Sequence, residues 1–147
     1  MTENSIENQI KGMKAIGRGA FRIVYDLGDG YVLKVARSKR GIKVNAREVT
    51  IYHSSPSPVR KHLAEIIEYE NEYRWLKMKK YTQKFPKDRE FKQKLYELGV
   101  AFKENGIIPL DISKFKSNPI SRNLRIDENG EIVVIDYGNF KVRQKNS

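Results

Sequence analysis

The pattern of hydrophobic and polar positions along residues 14–36 is strand-like, since Phe21, Ile23 and Tyr25 alternate with Arg22, Val24 and Asp26. A period of two residues is typical of β-strands. The turn residues Gly28-Asp29-Gly30 interrupt this pattern, and the apolar segment Tyr31–Ala36 that follows is predicted to form the next strand. Glycine-rich turns of this length commonly join antiparallel strands. We therefore predict consecutive antiparallel strands in this part of the chain.

The later elements are predicted in the order helix, two strands, helix and hairpin. Apolar side chains at helical spacing indicate the helices, and turn residues bound the strands. The predicted segments are a helix over 43–53, strands over 63–69 and 73–78, a helix that opens near Pro86 and stops at Asn105-Gly106, and strands over 123–126 and 131–135. The sequence therefore predicts an α+β fold with a mostly antiparallel sheet.

The composition limits the classes of function. The chain has 147 residues, enough for one domain with a hydrophobic core. It contains no cysteine, which excludes disulfides, thiolate metal sites and a cysteine nucleophile. The polar residues 1–12 show no signal-peptide pattern, and we expect them to form a flexible lead. With no apolar run long enough to span a membrane, we expect a cytoplasmic protein without a membrane partner.

Positive charge is concentrated in two segments of the chain. The formal net charge is +11, and a field of this size attracts anionic partners. Lys34–Arg47 holds six basic residues and no acidic one, and Arg74–Lys94 holds nine against Asp88 and Glu90. We expect the basic band Arg74–Lys94 to be exposed and to bind an acidic protein. A nucleic-acid partner and a merely solvated surface are the alternatives.

A glycine-rich turn and two charged residues in apolar surroundings suggest an anion site. Gly17 and Gly19 lie where the first two strands meet, and glycine lets backbone N–H groups approach phosphate oxygens. Lys34 interrupts an apolar strand, and Glu48 lies on the apolar face of the first predicted helix. Pairing would satisfy both charges. An ordinary tight turn with two separate surface charges is the alternative.

The end of the chain carries candidate metal ligands. Asp136 follows the apolar strand that ends at Ile135, and Asn123 begins the partner strand of the same hairpin. Carboxylate and amide oxygens suit Mg²⁺. A turn-capping asparagine with a loop aspartate would look the same in the sequence.

Taken in order, these motifs resemble the small lobe and metal-binding hairpin of protein kinases. The resemblance matches Gly17, Gly19 and Val24 with the family's glycine loop, Lys34 with its phosphate-binding lysine, Glu48 with the glutamate that holds this lysine, Met78 with the strand beside adenine, and Asn123 and Asp136 with its Mg²⁺ ligands. It implies ATP and Mg²⁺ as cofactors. Arg22 departs from the family's third glycine, and an arginine here is able to contact phosphate. Trp75 and Met78 also fit ordinary core positions.

Two alignments of the catalytic loop remain open. Residues 106–113 resemble the segment that carries the family's catalytic aspartate, which makes Asp111 the catalytic residue. This alignment requires an insertion before Asn123. Counting backwards from Asn123 places Asn118 there instead, and an asparagine cannot accept the proton. The first alignment implies a kinase, and the second implies a pseudokinase.

The resemblance also implies a domain arrangement and a function. We expect a kinase-like small lobe over 13–79 and a reduced large lobe over 80–147, with no activation segment or peptide-docking platform after Gly138. The expected function is an ATP- and Mg²⁺-dependent phosphotransferase that is autophosphorylating or activated by a partner. A pseudokinase that acts as a nucleotide-binding regulatory module is the alternative, and a basic nucleic-acid-binding protein is a third hypothesis.

Overall fold

The chain forms two compact units in a computed structural model that describes residues 3–114 and 118–143, without the side chains of residues 3–5 and Lys114. The first unit is built from residues 1–46 and 66–80, and the second from residues 47–65 and 81–147. Residues 47–65 thus pack with the second unit, whereas the sequence analysis assigned them to the small lobe. Each unit is described separately below.

A five-stranded antiparallel sheet forms the first unit. Its strands lie in the order β1 (Lys14–Arg18), β2 (Arg22–Asp26), β3 (Tyr31–Ala36), β5 (Trp75–Lys79) and β4 (Ile66–Tyr69). The β2–β3 turn contains Gly28 and Gly30 in left-handed conformations, with φ of 80° and 94°. Glycine adopts this conformation without steric cost, which explains why the turn forms here. The predicted α+β class with an antiparallel sheet is confirmed.

One face of this sheet is covered by helix α1 (Glu3–Ile10). Ile6 is buried with Leu33 and Trp75, and Ile10 packs against the same cluster. Residues four apart share one side of a helix, so Ile6 and Ile10 both reach the sheet. A helix therefore occupies most of the segment for which the sequence predicted a flexible lead.

Helix α2 (Lys39–Ser54) starts earlier than the predicted residue 43. Its first turn includes Gly41, which is buried against the preceding loop. A Cβ atom at Gly41 would lie 2.2 Å from the Phe21 carbonyl oxygen and 3.1 Å from Ala36 Cα. Only glycine fits such a close approach between a helix and a backbone carbonyl.

In the described residues, three small sheets and one long helix organise the second unit. Helix α4 (Arg89–Glu104) buries Leu95, Leu98 and Phe102. It begins at Arg89 rather than near Pro86, because the Asp88 carboxylate caps it by accepting a 2.8 Å hydrogen bond from the Phe91 N–H. It stops at the predicted Asn105-Gly106, where Gly106 has φ 80°.

The remaining elements of the second unit are short. They are α3 (Ser57–Arg60), β6 (Gln83–Lys84), β7 (Ile107–Ile108), β8 (Ser113–Lys114), β9 (Asn118–Pro119), β10 (Leu124–Ile126), β11 (Ile132–Val134) and β12 (Lys141–Val142). Strand β10 pairs with both β6 and β11, β7 with β12, and β8 with β9, all antiparallel. In the described residues, no helix is long and apolar enough to cross a membrane.

Candidate functional site

The glycine loop joins β1 and β2, and its backbone does not require glycine. Gly19 donates a 2.9 Å hydrogen bond to the Arg22 carbonyl and closes the turn. A Cβ atom would lie 3.7 Å from the nearest described atom both at Gly17 and at Gly19, an ordinary contact distance. Neither residue has a positive φ. The described fold therefore gives no steric reason for glycine at either position.

Arg22 is buried in the first unit and points toward α2. Its guanidinium donates a 3.0 Å hydrogen bond to Asn45 Oδ1, and Asn45 Nδ2 donates to the Tyr73 carbonyl at 2.9 Å. The sequence analysis noted only that an arginine at this position is able to contact phosphate. In the structure Arg22 links the loop to α2, and this contact offsets the desolvation of its buried guanidinium.

Arg37 holds the tip of the glycine loop, and the sequence analysis did not predict this contact. Arg37 Nη1 donates to the Gly19 carbonyl at 2.8 Å, and the Arg37 N–H donates to the Phe21 carbonyl at 2.8 Å. Arg40 lies over the Phe21 ring, 5.1 Å from its centre. Part of the basic segment Lys34–Arg47 thus fixes the conformation of the glycine loop. The only sign of these contacts in the sequence was the local excess of positive charge.

Lys34 and Met78 lie on neighbouring strands of the same sheet. Lys34 is 4% exposed in β3, where its register partners are Val24 and Leu76. A buried ammonium group needs polar or anionic partners to offset desolvation. Met78 is 1% exposed in β5, between its register partners Val32 and Ile66. Contact of Met78 with adenine, and of Lys34 with phosphate, stay predictions.

Glu48 is fully buried in the second unit and binds the segment around Tyr137. Its Oε2 accepts a 2.9 Å hydrogen bond from the Tyr137 N–H. The predicted pairing of Glu48 with Lys34, which belongs to the first unit, stays a prediction. The contact with Tyr137 was not foreseen, because nothing in the sequence indicates which backbone amide a buried carboxylate will meet.

Tyr137 anchors the segment that follows β11. Its side chain is fully buried, and its hydroxyl donates a 2.8 Å hydrogen bond to the Ala64 carbonyl. The ring packs against Phe140, whose own ring meets Phe102 of α4 edge-to-face at 5.5 Å. These contacts place residues 136–140 on a rigid base of aromatic side chains.

Asp111 and Asn123 are in direct contact. Asn123 Nδ2 donates a 2.8 Å hydrogen bond to the Asp111 carbonyl, across a separation of 12 residues in sequence. Asn139 Nδ2 donates to Asp111 Oδ2 at 2.9 Å. Asp111 itself is exposed and has φ 61°, a left-handed conformation that is uncommon for a residue with a side chain. Two asparagine amides thus fix the main chain and the carboxylate of one strained aspartate.

A hairpin occupies the interval between Asp111 and Asn123. Strands β8 and β9 pair, and the Ile120 N–H donates to the Ile112 carbonyl at 3.0 Å at the base of the hairpin. The hairpin therefore begins after Asp111 and ends before Asn123, and residues 115–117 lie outside the described residues. Asn118 lies within β9, opposite Lys114, with an exposed side chain.

Asp136 is exposed at the open end of the β10–β11 hairpin. The Asn123 carbonyl accepts a 2.9 Å hydrogen bond from the Ile135 N–H, so Asn123 and Asp136 flank the same end. Asn123 uses its amide nitrogen on Asp111, and the described residues provide no donor to its Oδ1. The Asp136 carboxylate and the Asn123 amide oxygen are hard oxygen ligands of the kind that Mg²⁺ prefers.

These groups fit a Mg²⁺ ion that is held partly by phosphate. The described residues contain no cluster of three or more His, Cys, Asp or Glu side chains that could hold a metal ion alone. Mg²⁺ usually keeps several waters and needs only one or two carboxylates together with substrate phosphates. The donors present suit an ion that arrives with a nucleotide better than a permanently bound structural metal.

The basic band Arg74–Lys94 is less available than predicted. Arg74 forms a two-point ion pair with Glu70, at 2.6 and 2.9 Å, and Lys80 binds Asp26 at 2.7 Å. Lys77 lies over the Tyr31 ring, and Lys94 pairs with Glu90 at 3.3 Å. Lys84, Lys87, Arg89 and Lys92 are exposed, and none of them forms an ion pair with another described residue. Binding of an acidic partner stays a prediction.

Comparison with solved structures supports the fold. The chain is similar to WbdD, described as a bifunctional kinase-methyltransferase, with 17% identity and TM-score 0.58 over 84% of this chain and 30% of that one. A second WbdD crystal structure gives 15% identity and TM-score 0.62 over 85% and 31%. WbdD with the kinase inhibitor LY294002 gives 16% and 0.58 over 86% and 32%.

The low sequence identity and the partial coverage limit what this similarity shows. No protein-family model and no curated protein matches the sequence. The chain spans about a third of the length of the WbdD structures, 30–32%. At such low identity the similarity concerns the fold and not the chemistry. The chain has a kinase-like fold.

Proposed function

We propose that this protein binds ATP with Mg²⁺ and transfers the terminal phosphoryl group to a hydroxyl acceptor. In this proposal, Lys34 and the N–H groups around Gly17 and Gly19 contact the phosphates, and Glu48 holds Lys34. Asn123 and Asp136 hold Mg²⁺, which neutralises charge on the phosphates. Phosphoryl transfer depends mainly on positioning and on electrostatic stabilisation, so no covalent intermediate on the protein is needed.

The observation that carries the proposal is the contact between Asp111 and Asn123. The proposed base and the proposed metal ligand lie far apart in sequence, yet they are joined by a 2.8 Å hydrogen bond. A strained backbone at an exposed aspartate persists only when its surroundings hold it, and such positions cluster at functional sites. This contact favours Asp111 over Asn118 as the residue that meets the acceptor hydroxyl.

The glycine loop gives independent support. Glycine in an extended segment costs backbone entropy, and neither Gly17 nor Gly19 is required by crowding or by a positive φ. A ligand that approaches the backbone closely would supply the missing reason. The hydrogen bonds from Arg37 to Gly19 and Phe21 hold this loop in a defined conformation, which reduces the entropy lost on binding.

Two aspartate variants test the proposal by separating metal binding from phosphoryl transfer. The affinity for ATP with Mg²⁺ is measured by calorimetry, and ADP formation is followed with water or the chain's own hydroxyls as acceptor. We expect Asp136→Asn to abolish the Mg²⁺-dependent part of the affinity. Asp111→Asn should leave the affinity unchanged and reduce ADP formation by about 100-fold or more, as for loss of a general base.

Asp29→Asn provides the matched control, because Asp29 is exposed in the β2–β3 turn. It should change neither affinity nor rate. ATP binding without ADP formation in the wild-type protein would favour the pseudokinase hypothesis. No binding of ATP at all would overturn the proposal.

A further inference from the structure

The carboxylate of Asp111 is held by a residue to which no role has yet been assigned. Asn139 Nδ2 donates a 2.9 Å hydrogen bond to Asp111 Oδ2, across 28 residues of sequence. The other asparagine, Asn123, contacts only the carbonyl of Asp111 and therefore does not fix its side chain. Among the described residues, the orientation of this carboxylate depends on Asn139.

Asn139 itself lies on a rigid support. It lies between Gly138 and Phe140, which are both buried, and Phe140 is fully inaccessible. The Phe140 N–H donates to the Tyr137 carbonyl at 3.0 Å and forms a turn around Asn139. Tyr137 is anchored in turn to Glu48 and Ala64. A side chain is positioned accurately when its supporting residues are locked by packing and hydrogen bonds.

The chemistry of the contact suits a base that must keep one oxygen free. An asparagine amide nitrogen only donates, so it engages Oδ2 and does not compete for an acceptor proton. With Oδ2 held, the plane of the carboxylate is restricted and Oδ1 remains open to the solvent side of this exposed residue. A hydroxyl group can then approach Oδ1 in a defined direction.

We propose that Asn139 is a positioning residue that orients Asp111 for phosphoryl transfer, an inference that rests on the function proposed above. In that step the acceptor oxygen bonds to the γ-phosphorus of ATP and the bond to the β-phosphate oxygen breaks, which releases ADP. The hydroxyl proton passes to Asp111 Oδ1. Asn139 contacts neither the nucleotide nor the acceptor and acts through Asp111 alone.

The proposal predicts a specific kinetic signature. Asn139→Ala should lower kcat for ADP formation by about 10- to 100-fold, because misplacing a catalytic group by a small distance has effects of this size. The KM for ATP should stay unchanged. Asn139→Asp, which has the same shape without the donor, should be as slow as Asn139→Ala. Asn139→Gln keeps the amide and should retain more activity than either.

A thermal double-mutant cycle tests the contact without reference to activity. The melting temperatures of Asp111→Ala, Asn139→Ala and the double variant are compared with that of the wild type. Contacting residues are non-additive, so the double variant should melt no lower than the less stable single variant. Asn129→Ala, in the exposed turn 127–130, is the control and should add independently to Asp111→Ala.

The results of these two experiments distinguish a failure of the positioning role of Asn139 from a failure of the proposed function. Additive melting shifts for Asp111 and Asn139 would overturn the inferred contact, whatever the activity. Full kcat in Asn139→Ala, with an active wild type, would overturn the positioning role and leave the proposed function intact. A coupled pair in a wild-type protein that binds ATP but forms no ADP would overturn both the transfer reaction and the role of Asn139 in it.

Discussion

The backbone N–H of Tyr137 donates a 2.9 Å hydrogen bond to the fully buried carboxylate of Glu48. Glu48 lies on α2, and Tyr137 directly follows Asp136, so this bond joins the helix to the proposed metal-binding segment of the second unit. The resemblance to kinases assigned Glu48 to Lys34 alone. The structure shows Glu48 fixing the backbone beside Asp136, whereas its pairing with Lys34 stays a prediction.

This contact predicts unequal effects for two substitutions at Glu48. Glu48→Ala leaves the buried Tyr137 N–H without its acceptor and should lower the free energy of unfolding by about 1–3 kcal/mol. Glu48→Gln keeps an acceptor oxygen and should cost less. Urea unfolding at neutral pH measures both, with the exposed Glu104→Ala as the control. A loss for Glu48→Ala no larger than that for Glu104→Ala would contradict the role of the bond.

The hydroxyl of Tyr137 should contribute separately to stability. Tyr137→Phe removes the 2.8 Å hydrogen bond to the Ala64 carbonyl in a fully buried position. We expect a loss of about 0.5–1.5 kcal/mol in the free energy of unfolding, the usual net value of one hydrogen bond. Tyr96→Phe, where the side chain is 59% exposed, should have almost no effect under the same conditions. Equal behaviour of the two variants would show that the Tyr137 hydroxyl is not engaged.

Two glycines within helices should respond to alanine in opposite directions. At Gly41 the new Cβ would meet the Phe21 carbonyl at 2.2 Å, so Gly41→Ala should destabilise by about 1–3 kcal/mol through overpacking. At Gly99 of α4 there is open space, so Gly99→Ala should stabilise by about 0.5–1 kcal/mol through helix propensity. Thermal or urea unfolding compares the pair. Stabilisation by Gly41→Ala would show that α2 does not press on the glycine loop as described.

Acid should weaken one ion pair of the first unit. The hydrogen bond from Lys80, at 2.7 Å, and one from the Gly28 N–H lower the pKa of Asp26 below its usual value of 3.8. A carboxyl group with a lowered pKa stabilises the folded state above its unfolded pKa and loses this effect as the pH falls through its folded pKa. Asp26→Asn should therefore melt below the wild type at pH 6. The difference in melting temperature between Asp26→Asn and the wild type should close as the pH falls below 3.8. A gap that is independent of pH would contradict this assignment.

Strong local signals in the sequence were sufficient to predict much of the fold. Strand β3 has the predicted bounds, because an apolar segment follows a glycine turn, and α4 ends where Asn105-Gly106 stops it. The two-residue strands β6 to β9 and β12 were missed, since so short a segment has no measurable period. Helix α1 was missed because Ile6 and Ile10 alone carry its apolar face, and the sheet supplies the rest of the burial.

The candidate site was less predictable than the fold. The alignment that makes Asp111 the catalytic aspartate requires an insertion before Asn123, and the β8–β9 hairpin lies in that interval. The contact of Asn139 with Asp111 could not be predicted, because one amide that meets a carboxylate 28 residues away leaves no pattern in the sequence. The burial of Arg22 against Asn45 was not predicted, because it depends on tertiary packing that local spacing does not encode.

The most direct test of the central claim is the thermal unfolding of the wild-type protein with ATP and Mg²⁺, with ATP and EDTA, and without ligand. ATP with Mg²⁺ at 100 times its dissociation constant should add about 2.7 kcal/mol to stability, and EDTA should remove most of this gain. Lys34→Ala should show a much smaller gain than the wild type. An unchanged melting temperature of the wild type in all three conditions would contradict Mg²⁺-dependent ATP binding by this protein.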